Sequence, residues 1–320
     1  GNADLKWERT LNYNIGLDVN LFNNRFDMTL DYYKKITDNL LLSVTKAPSV
    51  GVGTATENMG KIDNSGIEFR TRIIAIRNSN WDWTLSLTAS HNKNKIIQIS
   101  NVLKEQNEKN NAEKSRAPMP VYEEGESISA VKAVQSGGID PATGREIFIG
   151  KDGKPTFTYD YRDKIVFGDS DPKVYGILSS YLTYKNFQLN MMFDYRLKAT
   201  VYNQTLVTRV EGSSPYNNAD ERVFKSRWKE VGDQVKYKNI ADQSIPDQTS
   251  RFIEDEYTLS LRSLSLSYDF VPAIYRKLHL SRLRVQLMTN DLFRLSTIKQ
   301  ERGFDYPFAR SYQLSISATF

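Results

Sequence analysis

Two histidines, His91 and His279, and no cysteine bound the chemistry open to this chain. A zinc site, a Ser-His relay or a Cys-His relay needs more converging groups than these. Gly51-Val52-Gly53 lacks the third glycine and the strand–turn–helix setting of a nucleotide fingerprint. Asp169 and Asp171, in Phe167-Gly168-Asp169-Ser170-Asp171-Pro172, could contribute to a calcium site, but the liganding pattern of a calcium loop is missing and a turn is the simpler account. Carboxylates are plentiful, yet nothing singles out an acid/base dyad. No catalytic residue, metal or cofactor is therefore expected. The residues suited to binding are aromatics in long polar stretches: Tyr122, Tyr159, Tyr161, Tyr216, Trp228 and Tyr237. Such rings can stack on sugars or peptides and hydrogen-bond to them through their polar tips. Packing within a loop, or against a partner protein, is the plain alternative for each.

The elements that must position those aromatics are strands. The last ten residues alternate strictly: Tyr312, Leu314, Ile316, Ala318 and Phe320 fall on one face, and Ser311, Gln313, Ser315, Ser317 and Thr319 on the other. The same period predicts nine strands, near 11–22, 25–36, 66–76, 81–92, 174–184, 187–196, 256–270, 281–292 and 311–320. In the first two, Asn14, Asp18, Asp27 and Asp31 all keep to the polar face. In the third, Glu68, Arg70 and Arg72 oppose Ile67, Phe69, Ile73 and Ala75. In the eighth, Gln286 sits with Arg282 and Arg284 opposite Leu283, Val285 and Leu287. The fifth strand alternates poorly. The seventh slips phase between Leu261 and Leu264, which one extra residue near Arg262-Ser263 would repair as a β-bulge.

Composition agrees with one apolar and one wet face. Only 39% of residues are hydrophobic, below the roughly 45–50% usual for globular domains, while aromatics reach 12%. No run of 18 apolar residues exists to make a membrane helix. The net charge of +5 is dispersed, which argues against nucleic acid as a partner. The expected connections alternate short and long: 23–24, 37–65, 77–80, 92–173, 185–186, 196–255, 271–281 and 293–310. Transmembrane β-barrels sort their loops in this way, with short periplasmic turns and long extracellular loops. Aromatics gather at the two strand ends as membrane-interface girdles do. Phe22, Phe26, Trp81, Trp83, Tyr184, Phe187, Tyr268, Phe270 and Phe320 lie near the short turns, and Tyr32, Tyr195 and Tyr312 lie opposite. The expected fold is all-β, an antiparallel transmembrane β-barrel. Nine strands leave two unpaired edges, at several kcal/mol per orphaned group in hydrocarbon, about tens of kcal/mol in all. The expectation is that residues 1–320 are the C-terminal portion of a larger barrel domain.

Several segments also carry a family resemblance: Trp7-Glu8-Arg9-Thr10, Asp31-Tyr32-Tyr33-Lys34 with Thr37-Asp38, Asn58-Met59-Gly60-Lys61-Ile62-Asp63-Asn64-Ser65-Gly66-Ile67-Glu68, Gly138-Ile139-Asp140-Pro141 with Thr143-Gly144, Asp171-Pro172-Lys173, Leu264-Ser265-Leu266-Ser267-Tyr268, Asn290-Asp291-Leu292-Phe293, and Tyr306-Pro307 through Phe320. With these the chain resembles the C-terminal third of SusC/RagA-type TonB-dependent transporters of Bacteroidetes outer membranes. The resemblance implies a 22-stranded barrel around an N-terminal plug, both the plug and the first strands lying outside this chain. It implies multi-pass insertion in the outer membrane of a Gram-negative bacterium, with outer-membrane lipid around the wall. It further implies a SusD-like surface lipoprotein as a lid, energy from the TonB complex acting through the N-terminal region, and import of oligosaccharides or oligopeptides without catalysis. In it Asn14, Asp18, Asp27, Asp31, Glu68, Arg70, Arg72 and Gln286 would face the lumen, and the barrel assembly machinery would recognise Phe320. A TonB-dependent siderophore or metal-chelate receptor without a lid is the alternative, and a soluble all-β binding module the third reading.

Overall fold

The computed structural model of the chain describes residues 5–45, 54–112, 119–213, 216, 220–242, 244–299 and 309–320. Nine strands form one open antiparallel sheet in the order β1-β2-β3-β4-β9-β10-β11-β12-β13. They are β1 (Arg9–Leu21), β2 (Phe26–Thr45), β3 (Thr54–Arg77), β4 (Trp81–Ile99), β9 (Val174–Tyr184), β10 (Phe187–Tyr202), β11 (Ile253–Asp269), β12 (Arg282–Ser296) and β13 (Tyr312–Thr319). A second sheet lies within the long connection after β4, ordered β7-β6-β5-β8: β5 (Ala130–Ile139), β6 (Glu146–Ile149), β7 (Pro155–Thr156) and β8 (Lys164–Asp169). The sheet does not close on itself; β1 and β13 are its edges. Among the described residues no helix is long and apolar enough to cross a membrane, which says nothing of strands.

Local chemistry accounts for the tight turns. Phe22, Asn23 and Asn24 adopt positive φ between β1 and β2, a conformation Asn tolerates well. Lys185 does the same between β9 and β10. Between β3 and β4 the Asn78 side chain accepts the backbone N–H groups of Asn80 and Trp81, both at 2.9 Å. At this end of the sheet the aromatics form a row across four neighbouring strands. Trp81 packs on Tyr184 (ring centroids 4.2 Å apart), Phe187 on Tyr268 (4.6 Å) and Tyr268 on Phe270 (5.0 Å).

The phase slip in β11 is a bulge. Arg262 is the extra residue against β10, between the pairs Phe193↔Leu261 and Met192↔Ser263. Against β12 the count reverses: between the pairs Leu261↔Phe293 and Ser263↔Asn290, Asp291, with positive φ, and Leu292 together face Arg262, so Asn290-Asp291-Leu292-Phe293 carries a bulge of its own. A second bulge falls at Ala75, between the pairs Ile74↔Thr84 and Ile76↔Trp83. Ile76, not Ala75, therefore takes the place beside Trp83.

Several expected connections are strand instead. Residues 37–65 read as a loop rich in Gly, Thr and Asn. The β2–β3 hairpin in fact continues to the pair Thr45↔Thr54. Cross-strand pairs hold its arms together: Lys34 with Asp63 at 3.1 Å and Lys61 with Asp38 at 3.0 Å. The bulge at Asn39, with positive φ, takes up the irregular residue that broke the alternation. Likewise β4 runs on to Ile99, β10 to Tyr202 and β12 to Ser296. Gly51-Val52-Gly53 and Tyr306-Pro307 lie outside the described residues.

One close approach holds the wall together. Tyr195 of β10 reaches across Gly176 of β9 and donates to the Thr88 carbonyl of β4 at 2.7 Å. A Cβ on Gly176 would lie 1.9 Å from that carbonyl oxygen and 2.8 Å from the Tyr195 hydroxyl. Gly176→Ala should therefore cost about 1–3 kcal/mol by overpacking, and Tyr195→Phe about 1 kcal/mol for the hydrogen bond. The unfolding temperature of the full-length protein in detergent measures both. A Gly176→Ala protein as stable as the parent would show that the strands part freely here.

Candidate functional site

The polar face of the sheet carries a field of ion pairs and hydrogen bonds. Thr29 donates to Asp18 at 2.7 Å, and Arg72 Nε donates to Asp27 at 2.8 Å. Asn20 also donates to Asp27. Gln286 donates to the Ser265 hydroxyl at 2.8 Å. Arg262, displaced by its bulge, pairs with Asp194 and, at 3.3 Å, with Asp291. Arg284 and Arg282 share Asp269 at 2.5 and 3.1 Å. Higher on the same face, Arg294 and Arg196 flank the buried Glu256 at 2.9 and 3.6 Å. The structure thus brings Asn14, Asp18, Asp27, Asp31, Glu68, Arg70 and Arg72 together on β1–β3, with Gln286 five strands further round on β12.

The weak alternation of β9 has a structural cause. Tyr175, Ile177 and Tyr181 stand exposed on the polar face beside Met192, while Leu178, Leu182 and Tyr184 occupy the other face. Both faces of this strand are apolar, so a period of two has little contrast to act on.

Beyond the outer ends of the strands, the long connections fold into a layer of their own. Its core is Leu206, Val207, Val210, Tyr237 and Phe252, with Tyr202 packed against it. Arg251 joins the small sheet to the 206–211 turn. Its guanidinium bonds Glu146 of β6 at 2.7 and 2.5 Å and Glu211 at 2.5 and 2.9 Å, and also donates to the Lys236 carbonyl at 2.8 Å. Burial works against the Arg251 charge, but the bonds to the two carboxylates outweigh it and hold its pKa above the ordinary value. Arg227, also buried, has no carboxylate bond among the described residues; it donates to the carbonyls of Val223 (2.6 Å), Lys238 (3.1 Å), Glu211 (2.8 Å) and Val210. Burial lowers its pKa.

The six loop aromatics divide. Tyr237 is buried in the core of this layer. Trp228 lies over Gly144 of the Asp140–Gly144 turn, where a Cβ would come within 2.6 Å of its ring, and its Nε1 donates to the Pro141 carbonyl at 3.0 Å. Both rings are engaged in packing within the layer. Tyr159 packs edge-on against Phe148 at 5.5 Å. Burial, then the carboxylates of Asp247, Glu146 and Asp160, pushes its phenol up. Arg162 stands 6.0 Å over Tyr161. Tyr216 is exposed. Tyr122 lines a cavity of about 390 Å³ together with Lys132, Lys164 and Tyr202. Nothing in the local sequence marks Lys132, Lys164 or Tyr202, because they meet only through the pairing of β5 with β8 and the extension of β10.

A second cavity, of about 550 Å³, lies where β4 and β10 part beyond the end of β9; His91, Asn94, Ser129, Asp169, Lys198 and Asp255 are among its walls. Asn94 ties it to the outer layer, accepting from Ser127 Oγ (2.8 Å) and the Ile128 N–H (2.6 Å). Asp169 accepts from Ser129 at 3.2 Å and Asp171 from Asn94 at 3.3 Å, so this aspartate turn is tied by hydrogen bonds. His91 lies 2.6 Å from the Lys173 carbonyl at the outer end of β4, whereas His279 sits in the turn before β12. Among the described residues no group of three or more His, Cys, Asp and Glu could hold a metal ion.

Comparison with known proteins places this architecture. A family model described as "TonB dependent receptor-like, beta-barrel" matches residues 1–288. The TonB-dependent receptor P3 of Formosa agariphila is 26% identical over 325 aligned positions, covering 96% of this chain and 31% of that protein. The TonB-dependent receptor SusC of Bacteroides thetaiotaomicron is 28% identical over 215 positions, covering 63% of this chain and 20% of SusC. Among solved structures, the RagAB peptide transporter matches the whole chain with a TM-score of 0.80 at 22% identity, over 36% of the matched chain, a likeness of fold. The chain spans about a third or less of the length of these curated relatives.

Proposed function

Because the chain belongs to the TonB-dependent receptor-like β-barrel family, we propose that the full-length protein imports oligosaccharides or oligopeptides across the outer membrane of a Gram-negative bacterium. Import is driven by the TonB complex and covered from outside by a SusD-like lipoprotein. The observation that carries this reading is the similarity to SusC over nearly two thirds of the chain. The folded layer above the strands supports it, since a large structured outer surface suits a lid. The wall performs no catalysis in this reading. Asn14, Asp18, Asp27, Asp31, Glu68, Arg70, Arg72 and Gln286 line the lumen around a plug, and the apolar patch of β9 faces the same space. The opposite face of the sheet meets outer-membrane lipid. Phe320, 94% exposed after the last strand, is the residue offered to the barrel assembly machinery in this reading.

The test is purification of the tagged full-length protein from native outer membranes, together with growth of a deletion strain. A SusD-like lipoprotein should co-purify. Growth on one class of oligosaccharide or oligopeptide should be lost both in the deletion strain and on removal of TonB. Recovery of the protein alone, with a growth defect only under iron limitation, would identify a chelate receptor and overturn the nutrient reading.

A further inference from the structure

The cavity of about 390 Å³ in the outer layer falls within the size range of ligand pockets, about 300–1,000 Å³. Two lysines share it. In the β5–β8 ladder Val134 pairs with Lys164 and Lys132 with Val166. Lys132 and Lys164 are thus diagonal neighbours on one face, a placement that puts side chains roughly 7–8 Å apart. Like charges so placed oppose folding unless each is compensated. Lys132 is compensated: it is buried, and its ammonium pairs with Glu123 at 2.9 Å and Glu126 at 2.5 Å. Lys164 is half-buried and makes no ion pair among the described residues. Burial, and then Lys132, lowers its pKa, as expected of an amine whose counter-charge is missing. The Tyr202 ring forms part of the wall, while its hydroxyl is buried beside Tyr159, Glu146, Arg251 and Glu211. Tyr122, Pro120 and Ile128 add ring and apolar surface to the walls. Among the described residues the cavity thus sets an amine without a counter-charge beside flat apolar surface, which suits an anionic group on a compact body.

We infer that this cavity binds a carboxylate carried on a sugar ring or at a peptide terminus. Lys164 pairs with the carboxylate, and Tyr122 packs against the body that bears it. The inference goes beyond the import reading and does not depend on it. Binding to the purified protein needs neither lid nor TonB, so a strain that imports nothing would leave it standing.

The experiment uses the full-length protein in detergent and two matched pairs of probes. These are trigalacturonic acid with its methyl ester, and a tripeptide acid with its C-terminal amide. The acid of one pair should bind about 10-fold or more tighter than its neutral partner, the discrimination expected of a charge-assisted bond. Lys164→Met should abolish that preference, and Lys164→Arg should keep most of it. Which pair responds distinguishes the sugar from the peptide source. Without ligand, Lys164→Met should fold and melt at or above the parent temperature, since it removes an uncompensated charge. Equal binding of acid and neutral partner in both pairs would overturn the inference. So would full acid preference in Lys164→Met, or a Lys164→Met protein that fails to fold.

Discussion

Arg251→Met should loosen the outer layer while leaving the strands in register. The substitution roughly keeps the side-chain length and removes the charge that bonds both Glu146 and Glu211, whose side chains are 4% and 1% exposed. Breaking a buried ion pair by removing one partner costs about 3–5 kcal/mol. Here two carboxylates lose their partner at once, and the Lys236 carbonyl loses a donor. The layer is joined at this point: Glu146 belongs to β6, Glu211 to the turn carrying Val207 and Val210, and Phe252 follows Arg251 into the core. Limited proteolysis of the full-length protein should therefore cut in the outer connections about 100-fold faster than in the parent. The heat-modifiable gel mobility that reports an intact barrel should persist. Replacing Glu146 and Glu211 by glutamine in the same chain should recover much of the loss, because the uncompensated charges are then gone. Unchanged proteolysis in Arg251→Met would mean that the triad does not join the layer.

Leu314→Arg and Ile316→Arg should impair assembly far more than Ser315→Arg. Leu314 pairs with Leu287 and Ile316 with Val285 on the apolar face, while Ser315 pairs with Gln286 on the polar face. Leu314 and Ile316 are 66% and 68% exposed, which in a membrane is exposure to lipid. An arginine there costs about 2–4 kcal/mol near the bilayer midplane and falls toward 0–1 kcal/mol near the interfaces. On the other face Ser315→Arg enters a surface already built from ion pairs. The yield of heat-modifiable protein in outer-membrane fractions reads the difference. Equal losses from both faces would show that the apolar face of β13 does not meet lipid.

The contrast between these two predictions follows the contrast in what could be read along the chain. The faces of β13, and the polar placement of Asp18, Asp27, Asp31, Glu68 and Arg72, are written in alternation over neighbouring residues. The bulge at Arg262 was legible for the same reason, since a one-residue slip sends every later side chain to the opposite face. The hairpin over 37–65 was not. Gly, Thr and Asn in that stretch have the composition of a loop, and it is pairing with the facing arm, through Lys34 with Asp63 and Lys61 with Asp38, that makes it a ladder. The poor alternation of β9 was visible, but its cause, an apolar patch on the polar face, needed the register of both neighbouring strands.

The candidate binding residues divide along the same line. Tyr237 and Trp228 have the same sequence setting as Tyr122, a ring among polar residues. Only the folded layer puts Tyr237 in a core, seats Trp228 on Gly144 and leaves Tyr122 at a cavity. Lys132 and Lys164 stand 32 positions apart in sequence, and nothing near either one indicates that it has a partner or lacks one. From sequence alone come the strands, their two faces, the sorting of long and short connections and the family resemblance, because the twofold repeat of a strand is a local property of the backbone. Which charges are compensated, which rings are packed and where a cavity stays open depend on contacts between distant segments, and only the tertiary structure sets those.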